Sequence, residues 1–291
     1  MCIRDSVMGA KDGFIEVVRV NMSLLRRRMK TPQLKLELFV KGTKSQTDLC
    51  LCYMADRVPK QLIRQIKDRL DRMELETILS SGYVQPFLEN RRRCFFDAVG
   101  ATQRPDVLCA KLLEGRVGLL IDGTPFALVI PKLFCENFQT MDDYCFRPAY
   151  ATLIRWIKYA AFLIATLLPA LYLAIALHHP ELLNHTLLLI LAEAEENAPI
   201  SLTAEAIGVL LVYEIIREAG LRLPKAVGGA VSIVAGLIIG DAAVSSGLIS
   251  TPMLTVTAIA VIAGFVIPDL AQNITLLRLA FLPVSYTHLT L

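Results

Sequence analysis

The stretch Tyr159–Leu177 reads YAAFLIATLLPALYLAIAL, nineteen residues without a formal charge. At about 1.5 Å of rise per residue, such a helix is roughly 28 Å long, close to the thickness of a bilayer's hydrocarbon core. Its flanks are unequal: Arg147, Arg155 and Lys158 precede it, whereas His178–Thr186 contains neither Lys nor Arg. That asymmetry predicts that the preceding residues stay in the cytoplasm. Trp156 and Tyr159 suit the membrane interface, and Pro169 is placed to kink the helix.

Outward from this span the chain divides into unlike halves. Residues 1–158 hold 26 Lys and Arg against 18 Asp and Glu, while residues 159–291 hold only 4 against 9. The second half carries too few charges to solvate a globular surface, and with 54% hydrophobic residues overall this excludes a wholly soluble chain. Seven cysteines, an odd number with no Cys-x-x-Cys pair and none beyond Cys145, predict reduced thiols rather than a disulfide framework. The opening residues lack the apolar segment of a signal peptide. Met1–Ser6 (MCIRDS) and Val284–Leu291 (VSYTHLTL) resemble translated sequencing-adapter read-through, so the protein's own sequence is expected within residues 7–283, cut at both ends.

The first half reads as mixed α and β. Leu34, Leu36, Leu38 and Val40 alternate with Lys35, Glu37 and Lys41, the period of a strand with one buried face. Asp48–Met54 is a more uniformly apolar strand. Leu62, Ile63, Ile66, Leu70 and Met73 recur at helical spacing, with Arg64, Lys67, Arg69 and Arg72 elsewhere on the helix. Pro105 suits a first helical position, Gly115 a left-handed stop, and Asp122-Gly123 a tight hairpin between Arg116–Ile121 and Pro125–Ile130. The expected fold is an α+β cytoplasmic domain of two small lobes, residues 7–90 and 91–150, joined near Glu89–Arg93. Arg26–Arg28 and Arg91–Arg93 are open to anionic lipid or nucleic acid, but a solvated or intersubunit salt-bridge face is the plainer reading. No stacking aromatics or nucleic-acid motif accompany them, so no nucleic-acid partner is expected.

Residues 151–283 then read as an all-α polytopic membrane domain of three to five crossings. Ala226–Ile249 is a second span whose only ionisable residue is Asp241. Gly229, Ser232, Gly236, Gly240, Ala243 and Gly247 form a stripe of small residues along it, which in lipid permits close helix packing and predicts a homo-oligomer or bundle. Met253–Ile267 is a third apolar run, ended by Pro268-Asp269 and resumed through Leu276–Leu282. Leu182–Ala192 and Ala206–Tyr213 are each too short to cross, and fit a re-entrant pair or two membrane-surface helices. Glu214 with Arg217 and Glu218 with Arg222 are spaced to pair on one helix.

Chemistry finds little purchase. His178, His179, Glu181 and His185 lie close in sequence but lack the spacing of a zinc helix, and an interfacial loop is the simpler reading. Cys50 and Cys52 share one strand face and read as small core residues. With no phosphate loop, nucleophile elbow or metalloprotease helix, neither enzyme activity nor a cofactor or metal is expected. Asp241 differs, because a carboxylate within an uncharged span must face a partner or water. It is the leading pore, gating or packing candidate, followed by Gly236 and Gly240, with Glu205 and Glu214 at the interface.

The ordered blocks Gly13-Phe-Ile-Glu, Asn21-Met-Ser-Leu-Leu-Arg-Arg-Arg, Glu114-Gly-Arg-Val, Asp122-Gly-Thr-Pro-Phe, Arg217-Glu-Ala-Gly-Leu-Arg-Leu-Pro-Lys and Gly240-Asp-Ala-Ala-Val-Ser-Ser-Gly-Leu-Ile-Ser resemble the GerA family of spore germination proteins. That family comprises A subunits of nutrient germinant receptors and their SpoVAF-like relatives. The resemblance implies a cytoplasmic domain joined to a multi-pass domain in the spore inner membrane. It further implies partnership with a permease-like B subunit and a lipoprotein C subunit, in an assembly that releases cations when nutrients bind. A secondary transporter subunit and a membrane-tethered scaffold are the alternatives. The family supplies no catalytic residues to carry over.

Overall fold

The computed structural model describes residues 12–89, 95–182, 184–197, 199–222, 233, 236, 238 and 240–288. Two compact units divide between Ala151 and Thr152. The first contains, in chain order, α1 (Val18–Arg28), β1 (Leu34–Lys41), β2 (Thr47–Met54), α2 (Lys60–Asp71), α3 (Ser81–Leu88), β3 (Gly100–Thr102), α4 (Pro105–Leu113), β4 (Val117–Ile121) and β5 (Ala127–Ile130).

These strands form one five-stranded sheet in the order β1-β2-β4-β5-β3, antiparallel at each pairing. The expected two lobes are therefore corrected to a single sheet. Strand β2, expected in the first lobe, pairs with β4 of the second from Leu49 opposite Ile121 to Tyr53 opposite Val117. The reason lies in β2 itself, which is apolar on both faces and so needs cover on each. Leu49 and Leu51 pack with Ile66 and Leu70 of α2 and Val84 of α3, while Cys50 and Cys52 pack with Leu25 of α1 and Leu108 and Leu112 of α4. Each fully buried leucine contributes roughly 1.5–3 kcal/mol, whereas an exposed pair such as Lys44–Glu76 contributes about 0–1 kcal/mol. Burial on both sheet faces is what holds this unit together.

The turn chemistry follows the sequence. Pro105 opens α4, Gly115 beyond its end has φ +84°, and Gly123 in the β4–β5 hairpin has φ +81°. The junction expected near Glu89–Arg93 lies, apart from Glu89, outside the described residues.

Three separated sequence blocks meet at one end of the sheet. The Phe14 N–H donates to Gln103 O at 2.7 Å, and Gly123 N–H to Glu16 O at 2.8 Å. Asn21, fully buried on α1, accepts from Ile15 N–H at 2.9 Å and donates to Ile15 O at 2.6 Å. Asp122 accepts from Val18 N–H at 2.9 Å, capping the first turn of α1 from 104 residues away.

The second unit is helical: α5 (Pro148–His178), α6 (His185–Asn197), α7 (Leu202–Arg222), α8 (Thr251–Phe265) and α9 (Ala271–His288), with further helical residues at 240–245. Leu173, Leu202, Ala206, Leu210, Met253 and Leu282 form its core. Helix α5 is the one described helix long and apolar enough by itself to cross a membrane. Helix α8 and the segment Pro268–Ser285 pass the same test only as a pair, bent by 109° at their break. Pro268 causes that break: Ile267 before it sits at φ −129°, ψ 73°, outside the helical region that a residue preceding proline avoids. The apolar run Ala206–Tyr213, read as an isolated short segment, lies within the continuous 21-residue α7. Residues 226–232, 234, 235, 237 and 239 of the proposed span Ala226–Ile249 lie outside the described residues, as do residues 1–6.

Candidate functional site

Helix α7 carries two of the predicted residues, and the structure gives them different tasks. Glu205 stands in the first turn of α7 and is only 2% exposed. One of its oxygens accepts from both Ser250 N–H at 2.6 Å and Ser250 O–H at 2.7 Å. Ser250 is the N-cap of α8. The carboxylate thus lies where the N-terminal ends of two helices approach, and both helix dipoles and the charge-assisted hydrogen bonds offset its burial. Glu205 is a buried tie between α7 and α8.

Glu214 lies about two and a half turns further along. Its carboxylate meets Arg217 at 2.6 Å and Thr275 Oγ1 at 2.9 Å, and Thr275 Oγ1 also accepts from Arg217 at 3.1 Å. This triad joins α7 to α9. The predicted Glu218–Arg222 pair closes at 2.6 Å on the exposed side of the same helix.

A groove of about 760 Å³ runs beside α7 and brings Glu205, Gly236 and Gly240 to one surface, together with Gly208, Arg217 and Phe265. A methyl group added at Gly208, Gly236 or Gly240 would find no atom within 4 Å. The small residues therefore leave open space. Asp241 does not line this groove; it is exposed on the 240–245 helical segment, and its side chain makes no hydrogen bond among the described residues.

Sequence reading missed Arg278, which is 4% exposed. Its guanidinium donates to Ala165 O of α5 at 2.9 Å and to Ala260 O of α8 at 3.1 Å. One cation so placed ties α5, α8 and α9. The signal was present: Arg278 is the single charge inside the apolar run Leu276–Leu282, and a charge there seeks backbone carbonyls or a partner.

In the first unit the perturbed groups have structural causes. Burial pushes Cys52 up, and neighbouring Cys50, with sulfurs 3.8 Å apart, adds to it. Burial likewise pushes Cys109 up to about 11. Such thiols are protonated and unreactive. Burial and the hydrogen bond to Glu37 push Tyr53 up to about 12. Among the described residues no three His, Cys, Asp or Glu side chains group as metal ligands would, and His179 pairs with Glu181 at 3.1 Å.

The chain is thus an antiparallel sheet covered by helices on both faces, followed by a helical unit with one described helix long and apolar enough to cross a membrane. A family model described as Bacillus/Clostridium GerA spore germination protein matches residues 3–289. The chain belongs to that family. It is 39% identical over 253 residues to spore germination protein KA of Bacillus subtilis (strain 168), covering 87% of this chain and 46% of that protein. It is 38% identical to the uncharacterized membrane protein YfkQ of the same organism, covering 87% of this chain and 49% of that one. The chain thus spans about half the length of these curated relatives. Among solved structures, the crystal structure of the N-terminal domain of the A subunit of the Bacillus megaterium spore germinant receptor GerK3 matches with 38% identity and a TM-score of 0.35. That match covers 44% of this chain and 51% of that one.

Proposed function

We propose that this chain forms part of the membrane subunit of a spore nutrient-germinant receptor, coupling germinant sensing to ion release and germination. The observation that carries this reading is family membership over residues 3–289. In it, residues 151–283 lie in the spore inner membrane as a multi-pass domain, and the sheet domain faces the cytoplasm. A permease-like B subunit senses the germinant and a lipoprotein C subunit completes the complex. Germinant binding shifts the population of an open state of a helical assembly of several copies, which requires differential contact with the two states. The glycine-lined groove supports this, since open space at Gly208, Gly236 and Gly240 admits a helix at the close approach that lipid-embedded interfaces use. No catalytic step is proposed.

The test places Gly240→Leu and Glu205→Gln in the full-length protein of a spore-former and records cation efflux after nutrient addition. Slowed efflux with normal receptor abundance supports the reading. Normal efflux and normal assembly in both variants would remove the role of this groove. A transporter subunit moving its own substrate is the second reading, favoured by the 109° break between α8 and the segment after it, since transporters place binding sites at broken helices. Substrate uptake by vesicles holding this chain alone would decide for it.

A further inference from the structure

Helix α1 has a second face that the fold does not use. Val18, Asn21 and Leu25 point into the core, and opposite them Arg19, Val20, Ser23, Arg26, Arg27 and Lys30 form an exposed surface in and just beyond the helix. Residues 15–30 contain five cationic side chains against Glu16 alone. Of the carboxylates nearby, Asp12 pairs with Arg28 and, at 3.4 Å, with the 66% exposed Arg27 of this face, and Asp106 pairs with Arg104 at 2.6 Å. Among the described residues no carboxylate lies within ion-pair distance of Arg19, Arg26 or Lys30. Beside these charges, Ile15, Val17 and Val20 are 38%, 49% and 43% exposed. A merely solvated arginine face has no use for three branched apolar side chains at its edge.

We propose that this face of α1 docks on an anionic bilayer surface. The guanidinium groups of Arg19, Arg26 and Arg27 meet lipid phosphates in paired hydrogen bonds, and Val17 and Val20 enter the headgroup layer. Attraction to an anionic surface decays within about 8 Å at physiological salt, so it acts only on a domain held close to the bilayer. The chain supplies that closeness if α5 lies in lipid, and the inference rests on that reading. Covalent attachment then turns docking into an intramolecular event at high effective concentration. Nucleic acid fits the surface less well, because α1 carries no aromatic side chain on which bases stack.

The test uses the full chain in vesicles with brominated phosphatidylcholine, with or without 30 mol% phosphatidylglycerol (about one lipid in three, a strongly anionic surface). The single tryptophan is removed as Trp156→Phe and an indole is installed as Val20→Trp. Flotation of the chain with vesicles reports membrane association separately. Bromine quenching of the indole in anionic vesicles, relieved by high salt and absent from neutral ones, is the expected result. Arg26→Gln with Arg27→Gln lowers the docked fraction relative to the undocked by roughly tenfold or more. Chain that floats but shows no quenching, or quenching equal in both lipids, overturns the proposal. So does quenching unaffected by the two substitutions. An unquenched indole shielded from water alike with or without anionic lipid assigns the face to a second copy of this chain and overturns the proposal. Chain that fails to float overturns the membrane reading on which the proposal rests.

Discussion

At the scale of single residues, close approach and capping decide more than residue type. A methyl group at Gly118 would stand 2.7 Å from Leu108 Cδ1, so an alanine in β4 fits only if the buried Leu108 side chain of α4 shifts. Gly118→Ala is expected to destabilise the chain by about 1–3 kcal/mol through overpacking. Adding Leu108→Val should recover part of that loss in denaturant titrations, and strictly additive costs would contradict the packing account. Asp122 caps α1 across the fold, so Asp122→Ala should cost about 1–2 kcal/mol and raise hydrogen exchange in the first turn of α1 before that of α4. An unchanged exchange pattern would show that the cap contributes nothing. Neither effect is visible in sequence, because Gly118 and Asp122 look like an ordinary strand glycine and an ordinary turn residue. Asn21 hid α1 in a similar way, since a polar residue on the buried face interrupts the apolar stripe by which helices are recognised.

At the scale of elements, the sheet's outer layer depends on pH through defined pairs. Burial opposes ionisation of Glu37, but hydrogen bonds from Lys67 and Tyr53 hold its carboxyl below the usual value of 4.5. Asp106 is likewise held below 3.8, burial being outweighed by Arg104. Folded values depressed below unfolded ones mean stabilisation that is complete above the unfolded values and lost as pH falls through the folded ones. Stability of the first unit should therefore decline below about pH 4.5, and Lys67→Met should flatten the part of that decline due to Glu37. Melting curves at neutral and acidic pH check this, and identical acid slopes in variant and parent would contradict it. In the helical unit, Arg278→Ala leaves the carbonyls of Ala165 and Ala260 without their donor, whereas Arg278→Lys keeps one charge in place. The alanine variant is expected to lose about 1–3 kcal/mol more than the lysine variant in detergent melts.

At the scale of the whole molecule, what sequence could show depended on range. The strand β1, the apolar run of β2, the Asp122-Gly123 hairpin and the Gly115 stop are local patterns and are present in the structure, but the buried face read into β1 holds only toward its start, since Leu38 and Val40 are exposed and Phe39 packs on the core instead. Pairing of β2 with β4 is not local. Nothing in either strand names the other, which is why one sheet read as two lobes. The candidate site behaved similarly: glycine spacing located Gly236 and Gly240, but the tie from Glu205 to the N-cap of α8 needed Ser250 brought from 45 residues away. Asp241, the most conspicuous residue in sequence, is exposed on its helix, while Arg278 ties α9 to α5 and α8.

The central claim is that α5 crosses a bilayer and leaves the sheet domain on one aqueous side. Thiol-reactive polymer added to sealed vesicles of known orientation tests it, using the exposed Cys135 and Cys145 ahead of α5 and a reporter Glu181→Cys beyond it. In the second arm, Cys2→Ser, Cys94→Ser, Cys135→Ser and Cys145→Ser leave only the buried Cys50, Cys52 and Cys109 beside the reporter. The account predicts that the native thiols and the position-181 reporter label from opposite faces. Labelling of both from the same face would contradict it.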